Sequence, residues 1–344
     1  MTNKFFKIVS VLLALTIVIA CGKKETIPNA ASINVNNLKS IDMGGQKILL
    51  KYKFKKDEKL RYKLTSISNS IQTIKVDSLM KSNSDQSLTY VFDIEVVDVD
   101  KDNVAELDVT ISSINFSTDA NGQKLNYNST AKLSKEEKDK FAEFETIVNS
   151  PYRIRINQKG EILEVTRIDK MADKMIKLKP EMQKITADQK ATLIKNISEG
   201  EIKPKTQLLF RELTSKEVAK DSSWQSTSTA TLAVFQVETN SVFKVEDFVK
   251  AGEDKIAKLS ATLTSKSTGN KKGTQEGMDY VFDDPKVIGN GIILFDVDKG
   301  IMIKSETSTN VEMGVTVDGK DATQKMRHSI RKDLSINKNI VELL

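Results

Sequence analysis

Val104-Ala-Glu-Leu-Asp-Val-Thr-Ile-Ser-Ser113 decides the fold. Leu107, Val109 and Ile111 alternate with polar residues at period two, the mark of a half-buried β-strand. The stretch before it, Ser87 to Val99, alternates as strictly through Leu88, Tyr90, Phe92, Ile94 and Val96. The polar run Asp98-Val-Asp-Lys-Asp-Asn103 between them is a turn, so the two form a hairpin. Ile114 and Phe116 continue the second strand after a register change, and Asn121-Gly122 signals the next turn. Upstream, Lys47 to Phe54 and Lys59 to Leu64 alternate in the same way and are predicted as strands joined at Lys55-Lys56-Asp57-Glu58.

The design returns. Ile256-Ala-Lys-Leu-Ser-Ala-Thr-Leu-Thr-Ser265 aligns without gaps on residues 104–113. Val242-Phe243 matches Val91-Phe92 once one residue is inserted in the turn. Phe295 to Ser305 resembles Arg155 to Val165, and both set a Lys-Gly pair at the turn, Lys159-Gly160 and Lys299-Gly300. Trp224 then answers Tyr62 near the first strand of each unit. The blocks keep their order at offsets of 140 to 152 residues, which points to a duplicated unit rather than to hairpins that merely look alike.

Helical material lies between the two. Ser134-Lys-Glu-Glu137 is a capping box opening a helix to Val148, ended by Asn149-Ser150-Pro151. Thr166 to Leu178 reads as a second helix, stopped before Pro180. Thr186-Ala-Asp-Gln189 caps a third, to about Ser198, and Lys203-Pro204 opens a fourth that runs to Leu213. The expected class is α+β and β-dominated: two related antiparallel curled β-sheet units with covering helices and a helical connector. The expected boundaries are a signal peptide at 1–20, a lipidated N-terminus and tether at 21–45, a first β-rich unit at 46–165 with its helix at 134–149, the connector at 166–213 and a second β-rich unit at 214–344.

The N-terminus is an address. Lys4 and Lys7 precede an apolar run from Ile8 to Ala20 of 20 − 8 + 1 = 13 residues. As a helix it is about 20 Å long, short of a hydrocarbon core of about 30 Å, so it reads as a signal peptide. Val18-Ile19-Ala20-Cys21 looks like a bacterial lipobox. That resemblance implies cleavage between Ala20 and Cys21, thioether lipidation of Cys21 and acylation of the new N-terminus. Two or more acyl chains give stable anchoring at about 0.8 kcal/mol per buried CH₂. The absence of Asp after Cys21, where Gly22 stands, favours the outer membrane under the sorting rules the resemblance brings. Pro28, several Asn and Ser, and Gly44-Gly45 make residues 22–44 read as a tether.

Composition excludes more than it assigns. Among 344 residues there is one cysteine, which forbids an internal disulfide, and one histidine, which forbids a Cys₂His₂ zinc site. Lys and Arg exceed Asp and Glu by 53 − 47 = +6, or +4 once Lys4 and Lys7 leave with the signal. No Lys/Arg block resembles a nucleic-acid arm, so no nucleic-acid partner is expected. His328, in an alternating basic stretch, has no nucleophile or orienting carboxylate suggested by spacing, and reads as a surface strand residue. Asp98, Asp100 and Asp102 resemble a calcium loop that then fails, because Asn103 and Val109 stand where Gly and Glu are required. Asp283-Asp284 and Asp296-Val-Asp298 are turn or strand-end acids that a glycoside hydrolase could pair. Ile288-Gly-Asn-Gly-Ile292 lacks the Lys-Ser/Thr of a phosphate loop and reads as a turn. Trp224 reads as a core residue opening a strand. No catalytic residue, metal ligand or cofactor is expected.

The whole mature chain resembles a class of uncharacterised bacterial lipoproteins built from a domain of unknown function. The resemblance rests on Cys21 with its lipobox, on Leu49 to Lys56 followed by Leu60-Arg61-Tyr62-Lys63, and on Val218-Ala-Lys-Asp-Ser-Ser-Trp224. The family pattern has glycine before that aspartate, where this chain has Lys220. The resemblance implies no catalytic residues. The expected function is a membrane-anchored, non-enzymatic envelope binding protein for an apolar or lipid ligand, with a protein-partner module or a carboxylate-dependent hydrolase as alternatives.

Overall fold

The computed structural model describes residues 38–179, 182–232, 234–275, 277–320 and 325–344. Cys21, Ala20 and the signal run lie outside them. The strands are β1 (Lys39–Ser40), β2 (Lys59–Lys75), β3 (Leu79–Val99), β4 (Ala105–Ala120), β5 (Gln123–Asn128), β6 (Tyr152–Ile156) and β7 (Ile162–Thr166). They continue with β8 (Ser223–Leu232), β9 (Phe235–Ala251), β10 (Asp254–Gly269), β11 (Lys272–Gln275), β12 (Met278–Phe282), β13 (Lys286–Asp296), β14 (Ile301–Lys320) and β15 (Met326–Leu343). The helices are α1 (Lys135–Lys140), α2 (Ala142–Ile147), α3 (Asp169–Leu178), α4 (Ala187–Lys195) and α5 (Lys203–Gln207), with a π-helical turn (Asn196–Ile202) between the last two.

All strands belong to one open antiparallel sheet, ordered β1-β9-β10-β13-β14-β15-β2-β3-β4-β6-β7. The β-dominated, antiparallel expectation holds. The two expected units share that one sheet, joined where β15 pairs with β2 from Ile330↔Lys75 to Leu343↔Tyr62. The hairpin read from residues 87–113 is β3–β4, with its register change at Val91/Phe92. Asn121 and Gly122 both take positive φ, at 52° and 85°, as an Asn-Gly turn requires.

Several boundaries are corrected. Residues 47–54 are extended but not a strand: only Ile48 makes a bridge, to Val218. Leu50 and Tyr52 are buried, so the alternation reported one buried side, which an extended strap satisfies without a ladder. The strap hangs on the two Lys-Gly turns, Tyr52 N–H donating to the Gln158 carbonyl at 2.8 Å and Lys53 N–H to that of Gly300 at 3.1 Å. The helix expected at 134–149 is broken at Phe141, whose φ of −106° leaves the helical range, because α1 buries nothing while α2 buries Ala142, Thr146 and Ile147. Both capping boxes form, at Ser134/Glu137 and Thr186/Gln189. The helix opened by Lys203-Pro204 ends at Gln207. Ile288 to Ile292 is not a turn but the middle of β13. Gly289 and Gly291 stand there because a Cβ would meet the Ser308 carbonyl at 2.8 Å and the Thr307 methyl at 2.6 Å. The end of the expected tether is not free, since Lys39–Ser40 pair with β9 and Leu38 packs on Val249, Ile256 and Leu294.

One face of the sheet is covered by the strap and the helices, and the core is there. It runs from Tyr62, Leu64, Tyr90 and Phe92 through Leu107, Val109 and Ile111 to Ile293, Phe295 and Val341. Tyr52 sits at its centre, its ring 5.2 Å from Phe295 and 5.7 Å from both Phe54 and Phe210. This half is solid. The strands then run on past it. After Leu64, residues 65–75 of β2 include no buried residue, and neither do residues 79–89 of β3 or 306–313 of β14.

Candidate functional site

The free half of the sheet has two faces of different chemistry, and strand register assigns every residue to one of them. Directly opposed residues share a face. Trp224, Phe243, Ala261, Gly291, Thr307, Asn339, Ser66 and Leu88 are opposed in turn, so they form one row across seven strand pairings on the core side. The next rows on that side are Thr309, Asn337, Ser68 and Gln86, then Val311, Ser335, Ser70 and Ser84. Hydroxyls and amides dominate them, and the Ser66 hydroxyl donates to Asn339 Oδ1 at 2.6 Å.

The opposite face sets aliphatic residues among polar ones, with Glu306 and Lys338 paired between them. Ile67 and Ile71 on β2, Ile330, Leu334, Ile336 and Ile340 on β15, and Ile288 and Ile292 on β13 all point there, with Leu334 directly opposite Ile71. Ile288 is 56% exposed, Ile336 43%, Ile292 42% and Ile71 37%, so among the described residues they stand partly open to solvent.

Arg211 marks the border between the solid half and the polar rows. After α5 the chain crosses the core side, Phe210 packing against Tyr52, Phe54 and Tyr62. The Arg211 amide donates to the Tyr52 hydroxyl at 2.9 Å. Its side chain then reaches β14, where Nε donates to Ser305 Oγ at 3.3 Å. Ser305 is fully buried and lies one row below Thr307. Nη2 is sealed from solvent with no acceptor. Burial pulls the guanidinium below its ordinary pKa. Burial also pushes the Tyr52 phenol well up, so it stays neutral. Glu212 turns the other way, accepting from Ser226 on β8 at 2.8 Å.

The residues singled out in the sequence separate. His328 lies opposite Asp318 across β14–β15, Nδ1 to Oδ1 2.7 Å, a carboxylate that spacing did not reveal. Ser329 pairs with Val317 and so points to the other face. Asp100 caps its own turn, accepting from the Asp102 and Val104 amides at 2.9 Å, while Asp98 pairs with Lys56. Asp296 accepts from the Lys299 amide and Asp298 from the Lys255 amide, each at 2.8 Å. Asp284 pairs with Lys271. These acids close turns instead of converging. Trp224 is half-buried and stacks on Phe243 at 5.4 Å, and its Nε1 is sealed without an acceptor. Among the described residues no three His, Cys, Asp or Glu side chains cluster to hold a metal, and no helix is long and apolar enough to cross a membrane.

A second polar cluster lies at the far edge. Arg153 grips Asp108 through Nε and Nη2 at 2.6 and 2.9 Å and reaches Glu106 at 3.2 Å. The Arg153 hydrogen bond holds the Asp108 carboxyl below its usual range. Asp108, Arg167 and Lys170 line a groove of about 380 Å³. Arg211 carried no sequence signal: one Arg between Phe210 and Glu212 looks like any charge at the end of an apolar run.

Among solved structures, the chain is similar to lipovitellin, in a structure described for its lipid–protein interactions, at 10% identity and a TM-score of 0.41 over 85% of this chain. It spans about a quarter (25%) of that lipovitellin chain. It is also similar to OccK11 (OpdR) of Pseudomonas aeruginosa, at 6% identity and a TM-score of 0.19 over 84% of this chain and 99% of that one. The outer membrane protein opdK from the same organism follows at 5% and 0.16, over 82% and 98%. At these TM-scores the likenesses carry no weight for fold or ligand. No curated protein matches. A family model matches residues 102–302, from the β3–β4 turn into β14, which is 302 − 102 + 1 = 201 of the 344 residues. The chain belongs to that family, the family of unknown function DUF6263.

Proposed function

We propose that this chain is a lipid-anchored, non-enzymatic binding protein of the bacterial cell envelope, held to the outer membrane through Cys21, and that it takes an apolar or lipid ligand on the aliphatic face of its free half. One observation carries the ligand: Ile71, Ile288, Ile292 and Ile336 are 37 to 56% exposed on one face of the sheet's free half. Apolar surface left open costs about 25 cal/mol per Å², and covering it with a ligand would recover that cost. The test is organic extraction of the purified full-length protein followed by mass spectrometry, with uptake of a fluorescent fatty acid beside it. Extractable lipid or saturable uptake, weakened by Ile71→Ser with Ile336→Ser, is the expected result. Neither lipid nor uptake would remove the reading.

A second reading, a protein-partner module, draws on β8. Ser223 to Leu232 pairs only with β9 and carries no Lys or Pro, the residues that usually protect an edge from another strand. The sheet itself reads as one unit used twice. β2-β3-β4-β6-β7 and β8-β9-β10-β13-β14 follow the same pairing order, and Tyr62 faces Phe92 as Trp224 faces Phe243.

A further inference from the structure

A guanidinium stays charged at any pH a protein meets, and taking it out of water without a counter-charge is costly. Arg211 comes close to that position: the residue is part-buried and its Nη2 is sealed in the protein. Its hydrogen-bond partner is the neutral hydroxyl of Ser305, its Nη2 is sealed with no acceptor, and no carboxylate among the described residues pairs with it. The acid next to it in the chain is engaged elsewhere, since Glu212 accepts from Ser226, and Glu342 on the other face of the sheet pairs with Lys63 and Lys304.

Packing does not explain the charge either. A methionine would fill the same length beside Ser305 without the desolvation cost, and such replacements are often neutral or stabilising. What a guanidinium offers and a methionine does not is a planar pair of donors matched to a carboxylate or phosphate. The place is also suitable. Ser305 is the last fully buried position on β14 before the open rows, and Thr307, Asn339 and Ser66 stand one row above it with hydroxyls and an amide. A ligand lying on those rows would meet Arg211 at its inner end. We infer that Arg211, steadied by Ser305, is the receptor for an oxyanion, a carboxylate or phosphate group, bound on the polar face of the free half. This site is on the opposite side of the sheet from the aliphatic rows and stands whether or not those rows bind lipid.

The experiment uses the full-length protein in an uncharged detergent. Thermal unfolding is followed in inorganic phosphate, in acetate and in chloride at matched ionic strength, for the wild type, Arg211→Met and Arg211→Lys. Binding of a dansyl-labelled fatty acid and of its methyl ester is measured on the same samples. A rise in Tm with phosphate or acetate over chloride that is lost in Arg211→Met and partly kept in Arg211→Lys supports a free-anion site. An acid-over-ester preference of tenfold or more, lost in Arg211→Met while the ester still binds, supports the same receptor holding an acidic headgroup. Equal binding of acid and ester, with no anion-specific Tm rise, overturns the inference and leaves the apolar-ligand reading intact. A Tm rise that survives in Arg211→Met also overturns it. If Arg211→Met fails to fold, Ser305→Ala takes its place, with a weakened anion response expected and an unchanged one counting against the site.

Discussion

The ring of Tyr52 fills the space where a side chain on Gly160 would begin: a Cβ there would lie 2.4 Å from Tyr52 Cε2 and 2.7 Å from the Arg211 carbonyl oxygen. Gly160 also holds φ +85°. The same arrangement recurs at Gly300, φ +69°, where a Cβ would sit 2.5 Å from Lys53 Cγ and 2.7 Å from its backbone nitrogen. Gly160→Ala and Gly300→Ala should therefore each cost about 2–4 kcal/mol, combining left-handed strain with overpacking. Gly122, at φ +85° with nothing within 4 Å, is the control and should cost about 1 kcal/mol as alanine. Urea unfolding of the three variants measures this. Equal losses at Gly122 and Gly160 would show that the strap is not what fixes the Lys-Gly turns.

Tyr152 and Thr206 share a buried hydrogen bond of 2.6 Å, and the Thr206 hydroxyl donates onward to the Ile202 carbonyl at 2.8 Å. Tyr152 is therefore the donor. Tyr152→Phe removes a donor and leaves Thr206 with its own acceptor, a loss of about 1 kcal/mol. Thr206→Val strands the buried phenol and should cost about 1–3 kcal/mol. The order of the two, read from denaturant midpoints, is the check; a costlier Tyr152→Phe would reverse the assigned direction.

The Arg153 hydrogen bond lowers the Asp108 carboxyl in the folded state. A lowered carboxylate stabilises above its unfolded pKa of about 3.9, and that stability fades as pH falls through the folded value. Unfolding midpoints should be level from neutral pH to about pH 5 as far as this group goes, then fall. In Asp108→Asn the fall below about pH 4 should be shallower than in wild type. Superimposable acid limbs would mean that Asp108 contributes nothing. Because Asp108 is partly exposed, the difference is expected to shrink in high salt.

Replacing Cys21 with alanine should abolish metabolic labelling with palmitate and leave the signal uncleaved at Ala20. Membrane fractionation with a labelled fatty acid distinguishes the outcomes. Continued labelling of Cys21→Ala would place the acyl chain elsewhere.

Much of the sheet was legible because period two is a direct print of strand geometry. Leu88 to Val96 and Leu107 to Ile111 bury one face, and both became strands with the register change where the pattern slipped. Residues 47–54 show what alternation leaves open. It reports extended backbone with one side buried, and the strap satisfies that while Tyr52 and Lys53 each hydrogen-bond to a turn instead of a ladder. Glycine was the other weak point. Gly289 and Gly291 look like a turn, but neighbouring Thr307 needs their empty space, a fact held by the partner strand. For the site, the sequence marked Trp224 and His328, each by rarity. Arg211 could not be found that way, because its meaning lies in an acid that is missing around it. The pairing of His328 with Asp318 depends on the register of β15, which local pattern does not set.

The seam between β15 and β2 fixes the order in which this molecule can be completed. Its partners Ile330 and Lys75 lie 330 − 75 = 255 residues apart in the chain. Contacts that distant must wait for loop closure and slow the search for the native state. Until β15 has been made, β2 has no neighbour on that edge, and neither half of the sheet is finished. A chain built this way closes late, and both halves of its sheet wait on the last strand to be made.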